Sequence, residues 1–218
     1  MKQRWQRLPI ENQCKGRYNR KMRFHDITDC DMVNGDGLRA VLWVSGCEMR
    51  CKNCQNPITW NPDCGVVWDE KSKEELFSYL SKDYISGLTL SGGHPLMECN
   101  LKDIYELVCE VNEKFPNKNI WLYTGYRLED LIKSIYTSNY ETDILRMKIL
   151  DKIDILVDGR YIEELSDNNY QWAGSTNQRV IDIKETMKQL RDNIDENSSY
   201  DEIEKDISKY IIIHKSTI

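Results

Sequence analysis

Several predicted strands in this chain run directly into a loop that contains glycine or cysteine. The first spans Arg39 to Val44 and reads RAVLWV, an apolar and β-prone run typical of a strand buried on both faces. It leads into Ser45-Gly46-Cys47. Further strands are predicted at 87–90, 119–123, 153–157 and 178–183. The repeated pattern predicts a fold in which several strands each end at a loop that could contribute to a binding or catalytic site.

Segments with helical spacing of apolar residues separate these strands. Ser72 and Glu75 form a capping-box pattern ahead of one short helix. Longer helices are predicted from Leu101 to about Phe115, from Leu128 onward, and around Ile149. Strand and helix alternation of this kind predicts an α/β fold with a parallel sheet, open or curled into part of a barrel. The carboxyl ends of its strands would share one face, where such folds build active sites.

Length and composition favour one catalytic domain. The chain has 218 residues, of which 40% are hydrophobic and 30% charged, and no apolar run approaches the roughly 20 residues of a membrane span. We expect a basic arm at 1–21, a core domain at 22–184 and an acidic helical tail at 185–218. The amino terminus lacks a secretory h-region, so a cytoplasmic location is expected. A net charge of -6 argues against nucleic-acid binding.

Three closely spaced cysteines carry the strongest chemical signal. Cys47, Cys51 and Cys54 have the spacing CxxxCxxC, which lets one loop (residues 45–54, the cysteine loop) aim three thiolates at one centre. Soft thiolates select iron-sulfur clusters or zinc. Three ligands would leave one iron of a four-iron cluster open, whereas structural zinc needs four ligands. Cys64 could be a fourth ligand, so a zinc site is the alternative.

The cysteine spacing resembles the cluster motif of the radical S-adenosylmethionine superfamily. Other stretches are similar to one of its subfamilies, the activating proteins of anaerobic ribonucleoside-triphosphate reductase. The similarity runs from about Met22 to Ile183. It rests on Asp31–Gly37 (DMVNGDG), Cys54–Trp60 (CQNPITW), Leu88–Leu96 (LTLSGGHPL), Ile120–Tyr126 (IWLYTGY), Leu156–Arg160 (LVDGR) and Trp172–Gln178 (WAGSTNQ).

This resemblance implies a partial (β/α) barrel of the radical S-adenosylmethionine type, as one domain with short terminal extensions. It also implies a [4Fe-4S] cluster on Cys47, Cys51 and Cys54 that cleaves S-adenosylmethionine reductively. The resulting 5′-deoxyadenosyl radical would take hydrogen from a glycine of the reductase's catalytic subunit. A reduced flavodoxin or ferredoxin is the implied electron donor.

Further site residues follow from the same resemblance. Asn53 and Gln55 flank the third cysteine and would meet the nucleoside part of S-adenosylmethionine. Gly92 and Gly93 lie in the glycine loop (residues 91–95), where backbone could approach the methionine group closely. Asp158 would bind ribose hydroxyls or, alternatively, cap a turn.

Three other residues and the tail are open to two interpretations. The family usually has an acidic residue where this chain has His94. His94 could keep the backbone contacts of that position, or it could be a turn residue facing solvent. Tyr126 and Trp60 would line an adenine pocket or belong to the core. The tail, with Ile203 and Ile207 at helical spacing, would be a solvated helix or would dock on a partner or on the basic arm.

Two other functions remain open from the sequence. One is activation of a different glycyl-radical enzyme, or a small-molecule radical reaction, because the same cluster could drive either. The other is a zinc-binding or cluster-binding module without catalysis. The stretches after residue 120 favour the reductase as partner.

Overall fold

The computed structural model describes residues 20–137, 140–193 and 200–215. Almost all of the expected basic arm at 1–21 lies outside these residues. The strands are β1 (Arg23–Asp31), β2 (Leu38–Val44), β3 (Val66–Val67), β4 (Ile85–Gly92), β5 (Asn119–Tyr123), β6 (Ile155–Asp158) and β7 (Arg179–Asp182). The helices are α1 (Glu70–Leu80), α2 (Leu101–Lys114), α3 (Leu128–Thr137), α4 (Glu141–Leu150), α5 (Ile183–Asn193) and α6 (Tyr200–Tyr210).

All seven strands form one mixed sheet in the order β3-β1-β2-β4-β5-β6-β7. The central strands β2, β4, β5 and β6 are parallel, as predicted. The predicted parallel sheet is thus correct for the centre, but the predicted strand at 178–183, β7, runs antiparallel to β6, and the sheet gains an antiparallel strand, β1, that was not predicted. Residues 159–178, which connect β6 to β7, contain a 3-10 turn at Glu163–Leu165 in place of a crossover helix. The sheet order ends at β3 and β7, and closure toward a barrel stays a prediction.

The two faces of the sheet bury different sets of side chains. On the outer face, Leu42, Leu90 and Leu122 belong to the large core that the helices cover. On the inner face, Trp121, Ile155, Val157 and Val180 form a second apolar cluster, against which Tyr123, Trp172 and Ala173 pack. Burial on both faces explains why RAVLWV lacks polar alternation.

A buried arginine closes the inner face near the amino ends of the strands. Arg39 donates from Nε to Thr89 Oγ1 (2.6 Å), from Nη2 to the Leu88 carbonyl (2.7 Å) and from Nη1 to Asn119 Oδ1 (2.7 Å). Burial lowers the pKa of this guanidinium to about 10. Its bonds tie β2, β4 and β5 together beneath the strand-end loops.

The acidic tail packs onto the core. Met187 of α5 and Ile203 and Ile207 of α6 are buried in the large apolar cluster. The boundary expected after residue 184 falls inside α5. The described part of the tail contains most of α5 and all of α6, and Ile203 and Ile207 hold α6 against the core, so α6 is not a solvated helix. No helix within the described ranges is long and apolar enough to cross a membrane.

Helix α1 begins earlier than the sequence pattern indicates. Asp69, not Ser72, is its N-cap, and its Oδ1 accepts hydrogen bonds of 2.9 Å from both the backbone N–H and the hydroxyl of Ser72. Asp and Ser are both good N-caps, so local pattern alone could not choose between them.

Candidate metal centre and adjoining cavity

The cysteine loop leaves the carboxyl end of β2 and folds back on the segment that follows it. Gly46 N–H donates to the Thr59 carbonyl (2.7 Å) and Cys47 N–H to the Trp60 carbonyl (3.1 Å). Arg50 and Asn53 adopt left-handed backbone conformations, with φ of 49° and 51°. Each of these turns immediately precedes a cysteine, so the backbone reverses just before Cys51 and Cys54.

The three cysteine thiols suit a soft metal centre. Cys47, Cys51 and Cys54 are half-buried and not in disulfides. Burial is the main cause that raises the pKa of the Cys47 thiol, and coordination to a metal would offset it by stabilising the thiolate. The Asn56 N–H lies 3.4 Å from Cys54 Sγ, a contact of the kind that tunes cluster sulfurs.

A single-ion zinc site finds no support in the same region. No three His, Cys, Asp or Glu side chains in the described part of the chain are arranged to hold one metal ion. Cys64 is exposed, and its sulfur accepts a 3.2 Å hydrogen bond from Asn61 Nδ2. In a four-iron cluster each cysteine binds a different iron, so the thiols need not meet at one point.

The glycine loop lies against the backbone of the cysteine loop. Gly93 N–H donates to the Val44 carbonyl (2.8 Å), and His94 N–H to the Gly46 carbonyl (2.7 Å). A Cβ at Gly93 would lie 2.6 Å from the Gly46 carbonyl oxygen. Gly92 has a φ of 97°, and a Cβ there would lie 2.8 Å from the Trp43 backbone. Both glycines are thus required by the protein's own backbone contacts.

His94 is a buried connector and not a solvent-facing turn residue. Its side chain is 1% exposed. Its Nδ1 lies 2.9 Å from Glu48 Oε1, and its Nε2 lies 2.7 Å from Thr124 Oγ1. Tyr126 donates its hydroxyl to the same Glu48 oxygen at 2.5 Å. Burial alone would raise the pKa of Glu48, but its bonds to His94 and Tyr126 outweigh burial and lower that pKa to about 2.

A cavity of about 450 Å³ opens beside the cysteine loop. Cys51, Cys54 and Gln55 line one side, and Ser91 of β4 lines another. Its remaining wall is rich in aromatic rings: Trp43, Tyr123, Tyr161, Tyr170 and Trp172. The volume falls within the range of small-molecule sites, which combine apolar walls with a few polar groups.

The structure brings some of the predicted site residues together and separates others. Cys51, Cys54 and Gln55 share the cavity, whereas Asn53, Gly92 and Gly93 are not among its lining residues. Asn53 is exposed and donates its side-chain amide to Glu163. Lys52 forms a 2.7 Å ion pair with the same Glu163, so the cysteine loop is also fastened to the segment after β6.

Asp158 has a structural position. It is fully buried, its Oδ2 accepts a 2.9 Å hydrogen bond from Leu128 N–H, and its Oδ1 accepts one of 2.9 Å from Arg179 Nε. Arg179 Nη2 pairs with the second oxygen and with Glu129. Both carboxylate oxygens are therefore engaged, which favours the capping alternative over ribose binding.

The aromatic wall was not predicted from the sequence, where Tyr126 and Trp60 were the candidate pocket residues. Trp60 lies beneath the Arg50 guanidinium, at 5.0 Å from the ring centroid, and Tyr126 bonds Glu48. A signal was available, because Trp43 and Tyr123 occupy inward-facing positions near the carboxyl ends of their strands. Tyr170 and Trp172 lie in the β6–β7 connection, for which periodicity predicts nothing.

Comparisons with known proteins agree with these features. A family model described as a 4Fe-4S single cluster domain matches residues 33–181, which include the cysteine loop. A protein of Enterobacteria phage T4 is 42% identical over 159 residues, or 73% of this chain and 93% of the relative. Proteins of Salmonella typhimurium LT2 and Escherichia coli K12 are 36% and 35% identical over 165 residues, or 75% of this chain and 100% of each relative. All three are named anaerobic ribonucleoside-triphosphate reductase-activating protein.

Proposed function

Because this chain belongs to the family of anaerobic ribonucleoside-triphosphate reductase-activating proteins, we propose that it generates the glycyl radical of that reductase's catalytic subunit. When bound, a [4Fe-4S] cluster supplies the electron that splits S-adenosylmethionine into methionine and a 5′-deoxyadenosyl radical, which takes hydrogen from the glycine. The protein's own part is to hold, orient and shield these reactants.

One observation supports this function above the others: Cys51 and Cys54 line the same cavity as a wall of aromatic rings. Cys47, Cys51 and Cys54 would hold the cluster and leave one iron open for S-adenosylmethionine. Trp43, Tyr123 and Trp172 would then offer apolar faces to its adenosine. A metal site alone would not need such a cavity.

The other predicted site residues differ in whether their side chains can reach the cavity. Gln55, directly after the cysteine loop, lines the cavity, so its side chain is a polar group well placed for the nucleoside. For Asn53, Gly92 and Gly93 the proposal is limited to backbone contacts. The Asn53 amide is engaged by Glu163, and the two glycines lie against the backbone of β2 and of Gly46. We do not assign Asp158 to the ligand.

We further propose a reduced flavodoxin or ferredoxin as electron donor and the cytoplasm as location. Unpaired cysteines such as Cys51, Cys54 and Cys64 are characteristic of a reducing compartment. A partial barrel is the matching proposal for the curvature of the sheet, with the cavity on its inner side. The tail and arm remain proposed additions to a single core domain.

The function is tested by electron paramagnetic resonance under anaerobic conditions. Reconstituted protein, reductant and S-adenosylmethionine are incubated with the reductase's catalytic subunit, and a glycyl radical signal is expected. Cys54→Ala should abolish the signal, whereas the matched variant Cys64→Ala should keep it, because Cys64 is exposed and outside the triplet.

Two results would contradict the proposal at different levels. Deoxyadenosine formation with no radical on the reductase would point to another glycyl-radical enzyme or to a small-molecule substrate. Zinc without sulfide in the purified protein would point to a non-catalytic module. Iron and sulfide at about four each per chain are expected instead.

A further inference from the structure

The carboxyl-terminal segment of this chain extends the sheet beyond the region that matches the family model. That match ends at residue 181. Asp182 N–H donates to the Ile212 carbonyl and His214 N–H to the Val180 carbonyl, each at 2.8 Å, and Ile213 bridges Ile181 in antiparallel fashion. The segment thereby covers the edge of β7 and fixes where the His214 side chain lies.

His214 packs beneath the aromatic wall of the cavity. Its ring centroid lies 5.3 Å from that of Trp121 and 5.4 Å from that of Trp172, and the two indoles lie 5.2 Å apart. Trp172 lines the cavity directly. The imidazole therefore supports the cavity wall from the side away from the ligand space.

His214 also anchors a loop that supplies another residue of the cavity lining. Its Nε2 lies 3.0 Å from Asp36 Oδ2, and both side chains are largely buried. The other oxygen, Asp36 Oδ1, is buried without a hydrogen-bond partner in the described residues. Asn34, two residues earlier, lines the cavity. One imidazole thus joins the 34–36 loop to Trp172.

Asn34 and Trp172 both lie outside helices and strands. Residues 32–37 connect β1 to β2, and Trp172 lies in the β6–β7 connection. Backbone ladders do not set their separation, so side-chain contacts must. Trp172 has one such tie at its carbonyl, which accepts a 2.8 Å hydrogen bond from the Tyr123 hydroxyl. His214 provides a tie at the indole ring.

We propose that His214 is a positioning residue for S-adenosylmethionine, because it fixes where Asn34 and Trp172 lie relative to each other in the cavity lining. This inference rests on the proposed function, since it takes S-adenosylmethionine as the cavity's ligand. His214 does not line the cavity, so it acts through its neighbours. Its loss should weaken binding without removing the cluster.

The test uses four variants of the full-length, cluster-loaded protein. His214→Ala removes ring and hydrogen bond, His214→Phe keeps a ring, and His214→Gln keeps a donor. Lys215→Ala alters an exposed neighbour and is the matched control. The dissociation constant of S-adenosylmethionine is measured by equilibrium dialysis, with iron and sulfide content and near-ultraviolet circular dichroism of the tryptophans.

We expect His214→Ala to raise the dissociation constant about tenfold, and the Phe and Gln variants to raise it less, because each keeps one of two contacts. The KM for S-adenosylmethionine should rise with it, while kcat, iron and sulfide stay at the wild-type level. Tryptophan circular dichroism should change in His214→Ala and not in Lys215→Ala.

Different failures are distinguishable. If the folded His214 variants bind S-adenosylmethionine with the wild-type dissociation constant, the inference about His214 is overturned and the proposed function is not. Loss of cluster and kcat together would also overturn it, because that pattern indicates a general structural role. If His214→Ala does not fold, the Phe and Gln variants decide. A cluster-loaded wild type that binds no S-adenosylmethionine would overturn the proposed function itself.

Discussion

His94 Nδ1 and Glu48 Oε1 lie 2.9 Å apart, which fastens the glycine loop to the cysteine loop between its first two cysteines. The other ring nitrogen of His94 bonds Thr124, at 2.7 Å, in the loop after β5. Tyr126 from that same loop completes the group by donating to Glu48. Loops from three adjacent strands are thereby held in one arrangement around the candidate centre.

Replacing His94 should loosen this arrangement. His94→Ala removes the buried side chain that joins Glu48 to Thr124 and leaves both with Tyr126 alone, and we expect a loss of about 2 kcal/mol in the free energy of unfolding. Iron release to a chelator should become several-fold faster. His94→Asn can keep one donor toward Glu48 and should restore part of both losses. An unchanged rate of iron release in His94→Ala would contradict the connecting role.

Glu48 should make stability depend on acidity. Its pKa is about 2 in the folded protein, below the ordinary value of 4.5. A carboxyl group whose pKa is lowered by folding stabilises the folded state at every pH above its ordinary pKa. That contribution is lost as the pH falls from about 4.5 toward 2. Because the Glu48 side chain is 37% exposed, we expect it to contribute only about 1 kcal/mol to the free energy of unfolding. Denaturant unfolding of the metal-free protein at a series of pH values measures this contribution. In Glu48→Gln the free energy of unfolding should change less between pH 4.5 and 2.

Gly93→Ala should displace the cysteine loop where it contacts the glycine loop. The added methyl would meet the Gly46 carbonyl oxygen at 2.6 Å, and backbone cannot rotate away as a side chain can. We expect a loss of about 2 kcal/mol in unfolding free energy together with reduced iron content after reconstitution. Normal iron content and stability would show that the glycine is required by a ligand and not by the fold.

Arg179 and Asp158 should behave as a structural pair. Arg179→Met would leave the fully buried Asp158 carboxylate without its cation, and should cost about 3 kcal/mol of unfolding free energy. Asp158→Asn should cost less, because it removes the buried charge. The affinity of folded Asp158→Asn for S-adenosylmethionine should match that of wild type. A large loss of affinity in this variant would restore the ribose-binding hypothesis.

The central strands were predictable because burial on both faces leaves a continuous apolar run, as in β2. Strand β1 was missed, since Phe24 is its one buried residue and charged residues interrupt the strand. The direction of β7 was also missed. Periodicity shows that a segment is extended, but the path of the 159–178 connection determines which way the strand runs.

The sequence by itself predicted the chemistry of the candidate centre, because three cysteines lie within eight residues of one loop and are close together however the rest of the chain folds. Tertiary structure alone decided which polar residues serve the site and which serve the fold. Asp158 is engaged by Arg179, His94 joins Glu48 to Thr124, and His214 meets Asp36 across 178 positions. Buried polar groups must find partners, and those partners come from distant parts of the sequence that only the folded chain brings together.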